Sequence, residues 1–111
     1  MATEKLPKTL KKNGNDYTQI KRGKNAFLYK LVDPEASEYP SYEVFTKKIQ
    51  PPFSLRGKGK DGKLYEYPEK ERFPGNEDFG KWAWAWMTLK SATNHFNELE
   101  KDANFKLATY R

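Results

Sequence analysis

The residues of this chain with chemical reach fall into a few short groups. His95, the only histidine, has the side chain of a general base, but a base needs a positioned partner. The surrounding "SATNHFNEL" supplies none, and at the edge of an apolar helical stripe His95 reads as a half-buried packing residue. Glu66, Glu69 and Glu71 could form paired carboxylates for acid–base work. Set among Pro68, Lys70 and Arg72, they read instead as a solvated charge run. "GKGKDGKL" (57–64) has the glycine and lysine spacing of a phosphate-binding P-loop, but Leu64 stands where a Ser or Thr would hold Mg²⁺. It also leads into "YEYP" rather than a helix. "DFG" (78–80) matches the kinase magnesium motif without any of the elements that accompany it.

The chain has no cysteine, so disulfides, thiolate metal sites and cysteine nucleophiles are excluded. One histidine is too few for a His-rich metal site. The expectation is therefore a non-enzymatic protein with no catalytic residue, no metal and no cofactor.

What remains is charge and aromatic surface. Residues 1–30 hold eight bases against Glu4 and Asp16, so this stretch carries the whole net charge of +6. A second basic run, Lys47 to Lys63, precedes an acidic one at 66–78. Bases interleaved with aromatics (Tyr17, Tyr42, Phe45) are the composition of single-strand binders, in which cations track the backbone and rings stack. The expected partner is anionic, most readily nucleic acid, held by Lys11, Lys12, Lys21, Arg22, Lys24, Lys47, Lys48, Arg56, Lys58, Lys60 and Lys63. A different class of function fits the acidic loop. Tyr65, Tyr67 and Phe73 are candidate anchors, with Glu69 and Glu71, for a protein partner beside an open sheet edge.

Elements must position these residues. The 111 residues suit one domain, and with aromatics at 15% and few aliphatics, the core must be largely aromatic. Residues 1–14 read as a flexible basic arm and 15–111 as a single α+β domain. "DYTQIK" and "AFLYKLV" make a hairpin around Gly23-Lys24, where a two-residue turn needs positive φ at the glycine. "SYEVFTKKI" is the next strand, stopped by Pro51-Pro52. "FSLRGKGK" and "KLYEYP" flank Asp61-Gly62, a strong hairpin signal. "NFKLATY" is a last short strand.

"DFGKWAWAWM" (78–87) has two readings. As a strand over 80–87 it places Trp82, Trp84 and Trp86 on one face. As part of one long helix it would run about twice the usual length. Thr88, a good N-cap for "LKSATNHFNELEKD", favours strand then helix, with Leu89, Ala92, Phe96 and Leu99 as the buried stripe. The indoles would then be core, Trp82 and Trp86 lying beneath Phe96 and Leu99. The predicted fold is an antiparallel, hairpin-rich sheet of four to six strands with one C-terminal amphipathic helix packed on one face. No segment has the roughly 20 apolar residues that cross a bilayer, so a cytoplasmic protein is expected.

"YEVFTKKI", "FPGNEDFGKWAW" and "SATNHFNEL" together resemble small uncharacterised proteins of bacteriophages and mobile elements of gut Bacteroidetes, over residues 15–101. That resemblance implies a small accessory protein, such as a modulator of a host protein, and supplies no activity and no site residue. The strand–strand–helix order is also similar to that of the WGR domain, a nucleic-acid-associated module, but the Trp-Gly-Arg signature is absent.

Overall fold

Alternating aromatic and β-branched residues make the strands, and a cap makes the helix. The computed structural model describes residues 3–35, 40–56, 64–102, 105 and 108–109. Its strands are β1 (Thr9–Lys12), β2 (Asn15–Arg22), β3 (Ala26–Val32), β4 (Ser41–Thr46), β5 (Lys48–Gln50), β6 (Phe53–Arg56), β7 (Leu64–Tyr67), β8 (Lys70–Glu71), β9 (Ala83–Trp86) and β10 (Ala108–Thr109). Helix α1 spans Leu89–Glu100. The main sheet is antiparallel with order β1-β2-β3-β4-β9, so the apolar β3, AFLYKLV, is its central strand. Beside it lie a small sheet ordered β10-β5-β8 and the β6–β7 ribbon. The protein is an α+β domain with a C-terminal helix on the sheet, as its sequence predicts.

The strand period of two gives the main sheet two apolar faces. On one face, Ala26, Leu28, Tyr42 and Val44 pack with Ala92 and Phe96 of α1, and Trp86 and Leu99 close the edges. On the other, Tyr17, Phe27, Tyr29 and Phe45 pack with Trp82, flanked by Leu6, Leu10, Phe73 and Phe79. Rings on this second face meet edge to face or stacked at 5.1–6.2 Å. Burying both faces explains why a chain poor in aliphatics still has a core.

Thr88 caps α1 as expected, its Oγ1 accepting from the Ser91 amide at 3.2 Å. In the stripe, Ala92 and Phe96 are buried and Leu99 is half-buried, while Leu89 is exposed. The 53–56 and 64–67 strands do pair as a hairpin, and the Asp61-Gly62 turn lies outside the described residues. The expected last strand is present as β10, parallel to β5.

Other expectations are corrected. The tryptophans do not share a face. Gly80, with φ of 88°, opens a turn that carries Trp82 out of the strand, so Trp82 packs under Phe45 in the layer away from α1. Only Trp84 and Trp86 face the helix. Within the predicted arm, residues 3–14 are held to the fold: β1 joins β2 through Asn13-Gly14, whose φ values of 54° and 79° belong to a type I′ turn. Upstream, the Glu4 amide donates to Glu69 O (2.8 Å) and Glu4 O accepts from the Glu71 amide (2.9 Å). The β2–β3 connection has three residues, not two, closed by the Gly23 amide on Ala26 O (2.9 Å), and Gly23 lacks positive φ. "SYEVFTKKI" is two strands in two sheets, broken at Lys47.

Candidate functional site

Three connections meet at one end of the main sheet. The Lys47 amide donates to Asn25 O (2.8 Å), tying the β4–β5 junction to the β2–β3 loop. Asn25 Nδ2 donates to Leu99 O (2.9 Å), tying that loop to the end of α1. The Glu100 carboxylate then accepts from the amides of Lys24 and Asn25, both at 2.6 Å. A Cβ on Gly23 would overlap this carboxylate, so the glycine leaves room for its close approach rather than supplying a special φ.

Cations gather around this junction. The Lys21 ammonium lies 5.9 Å from the Phe96 centroid, while Arg22 and Lys47 lie 5.0 and 5.6 Å from that of Phe27. Lys48 is 5.3 Å from Trp82, whose carbonyl accepts from the Thr46 amide (3.0 Å). Each ring is a core ring with a cation on its outer side, a favourable placement for both. Lys24 is exposed in the loop, and exposed Lys81 and Lys101 adjoin Trp82 and the helix end. Sequence reasoning missed these last two, because nothing in their local context links them to the β2–β3 loop.

Besides Glu100, a second acid at this end, Glu71, is engaged from within. Arg22 holds Glu71 through two hydrogen bonds of 2.7 and 2.5 Å, and the Leu6 amide adds a third at 2.8 Å. The Glu71 side chain is 5% exposed. Burial alone would raise its carboxyl, but the Arg22 and Leu6 bonds outweigh that and hold it below the usual range. The same bond raises Arg22 further above its usual value. No ion-pair partner for Lys21, Lys24, Lys47 or Lys48 occurs among the described residues.

Several predicted site residues are elsewhere. Lys11 and Lys12 sit at the far end of β2, roughly 20 Å away at strand rise. Lys11 pairs with Asp16 (3.7 Å), and Lys12 lies over Phe73 (4.7 Å) and donates to Pro74 O (2.5 Å). Arg22 is committed to Glu71, so it is a structural cation. Arg56 closes β6 opposite Leu64, and Lys58, Lys60 and Lys63 lie outside the described residues. The aromatics expected to stack bases, Tyr17, Tyr42 and Phe45, are core.

The alternative protein-binding set does not assemble either. Glu71 and Phe73 are interior, and Glu69 accepts from Thr3 Oγ1. Tyr65 is placed by strand register opposite Leu55, and Tyr67 is exposed. The expected solvated run at 66–71 thus contains one buried carboxylate, Glu71, paired with Arg22 of β2.

His95 is half-buried, as expected, but in a specific arrangement. Its Nδ1 accepts from Trp86 Nε1–H at 3.0 Å, which leaves the proton of the neutral ring on Nε2. Trp84 and Trp86 meet it edge-on at 4.6 and 5.4 Å. Burial lowers its pKa, opposed by Glu98. Among the described residues no group of three or more His, Cys, Asp or Glu is placed to hold a metal ion, and no helix is long and apolar enough to cross a membrane. No family model, curated protein or solved structure matches the chain, so function is argued from this geometry.

Proposed function

We propose that the protein binds an anionic polymer, nucleic acid in particular, at the end of the sheet where Lys21, Lys24, Lys47, Lys48, Lys81 and Lys101 converge. The observation that carries this is the charge balance at that end. Glu71 is neutralised by Arg22, Glu100 stays charged while accepting from two backbone amides, and with Asp102 beside the helix end two carboxylates face six lysines, an excess of positive charge. Such a surface contacts phosphates, releases counterions and reads little sequence. Stacking has no part in it, since the nearby rings are packed in the core.

The test is fluorescence anisotropy with labelled duplex DNA, single-stranded DNA and RNA across a salt series. With four lysines on phosphates, log K falls against log salt with a slope of about −3 to −4. Lys21→Glu with Lys24→Glu should abolish binding. Lys11→Glu with Lys90→Glu, an identical charge change on exposed residues at the far end of β2 and at the opposite end of α1, should leave most of it. Equal losses in both variants would show that net charge alone acts. Binding that ignores salt would overturn the proposal.

A further inference from the structure

The open edge of β9 and the groove beside it are not used by the basic end. We infer that they form a docking site for an extended peptide segment bearing a lysine or arginine side chain. The backbone supplies the first reason. In the β4–β9 ladder, Tyr42, Val44 and Thr46 stand opposite Trp86, Trp84 and Trp82, and the Thr46 amide bonds Trp82 O. By antiparallel alternation these are the hydrogen-bonded pairs, so Ala83 and Ala85 direct their N–H and C=O groups outward. The preceding turn covers Ala83, whose carbonyl accepts from the Gly80 amide (2.8 Å). Ala85 keeps an N–H and a C=O at the edge, and β9 has no outer neighbour among the described strands. Such an edge is a template for an added strand.

The groove gives the second reason and sets the occupant's chemistry. A space of about 240 Å³ between β9 and α1 is lined by Trp86, Ser91, Asn94, His95 and Glu98. A strand added at Ala85 turns alternate side chains toward this space. Glu98 is its one carboxylate, exposed and without an ion-pair partner among the described residues. With His95 held neutral as an acceptor for Trp86, no cation in the lining competes for it. An indole beside a carboxylate suits an ammonium or guanidinium, through attraction to the ring and to the charge together. Met87, 79% exposed, and Leu89, 46% exposed, extend the site with apolar surface. The site is acidic in a chain of net charge +6, so a cationic segment is drawn to this spot and repelled by the rest of the molecule.

The experiment uses ¹⁵N-labelled full-length protein and two blocked peptides, Thr-Val-Lys-Val-Thr and its Thr-Val-Glu-Val-Thr counterpart. The lysine peptide should shift the Ala85 and Met87 amides and the Trp86 indole N–H saturably, and the glutamate peptide should not. Glu98→Gln should weaken binding about three- to tenfold. Ala85→Pro removes the outward donor from an edge position, where proline is tolerated, and should abolish binding with the remaining resonances in place. If that variant does not fold, Glu98→Lys replaces it, with loss of binding expected. No shifts at about 10 mM peptide, equal response to both peptides, or shifts confined to other strands would overturn the inference. So would concentration-dependent dimerisation in sedimentation that Ala85→Pro removes, because the edge would then belong to a second copy of the chain.

Discussion

Glu43 is the residue whose state departs furthest from its surroundings. It is 8% exposed on the largely aromatic face of the sheet. Its Oε2 accepts from the Tyr17 hydroxyl at 3.2 Å, while Oε1 has no hydrogen-bond partner among the described residues. Burial raises its carboxyl, with Tyr17 and Lys12 opposing, and burial with the Glu43 charge pushes the Tyr17 phenol well above its usual range. A raised acid keeps its proton longer in the native state, so the unfolded chain binds fewer protons between the two pKa values. Stability from this group is therefore complete below about pH 4.3 and is lost as pH rises through the native pKa. Glu43→Gln keeps the Tyr17 bond and removes the titration. It should stabilise the protein by about 1 kcal/mol at pH 8 and leave pH 4 stability nearly unchanged, as read from urea midpoints. A variant weaker than wild type at pH 8 would mean the carboxylate is satisfied in solution. Glu71 has the opposite sign. Its lowered pKa contributes stability above the ordinary carboxylate range, lost as pH falls through the native value. Arg22→Ala should thus cost about 2 kcal/mol at neutral pH, discounted from the cost of breaking a fully buried pair because Arg22 remains partly exposed.

Between elements, the carboxylate of Glu100 makes one unit of the β2–β3 loop and the end of α1. Gly23→Ala should expel that carboxylate and cost about 1–2 kcal/mol, the value of one or two charge-assisted bonds. Glu100→Ala should cost a similar amount, and the double variant little more than either, since both delete the same contact. Additive costs in thermal melts would show that the contact contributes nothing. The elements themselves were legible where local chemistry decides. Thr88 had the right residue type and spacing for a cap, and the strands around Phe27 and Phe45 follow from their alternation. Where a non-local contact decides, the sequence was silent. Gly23-Lys24 has a two-residue turn's composition, yet Glu100, 76 residues away for Lys24, holds a three-residue loop. Asn13-Gly14 carried a hairpin signal as strong as any, but the polar, lysine-rich residues before it hid the pairing strand. Trp82 alternates with Trp84 in sequence, but the positive φ of Gly80 ends that period, and periodicity alone does not reveal such a break.

Across the whole molecule, folding sorts charge that the sequence only groups. The first 30 residues carry the net charge, but the fold sends Lys11 and Lys12 to one end of β2 and Lys21 and Lys24 to the other, then adds Lys47, Lys48, Lys81 and Lys101 from distant segments. The candidate site was thus legible in residue type and only half legible in membership, because Lys81 and Lys101 join it through contacts that no local pattern encodes. A salt series can count members of such a site, since each phosphate-bound cation contributes about −0.9 to the slope on duplex DNA. Neutralising Lys47 and Lys48 with glutamine should make the slope shallower by about 1.8, and neutralising Lys81 and Lys101 should do the same if they engage phosphates. The two pairs are expected to differ in stability. Lys47 and Lys48 sit over Phe27 and Trp82, so their loss should cost about 0.5–1 kcal/mol each, whereas exposed Lys81 and Lys101 should change it by less than about 0.5 kcal/mol. An unchanged slope in the second pair would confine the interface to the loop and the β4–β5 junction. An unchanged slope in both pairs would leave the gathered lysines as solubilising surface, and with them the anionic partner would fall.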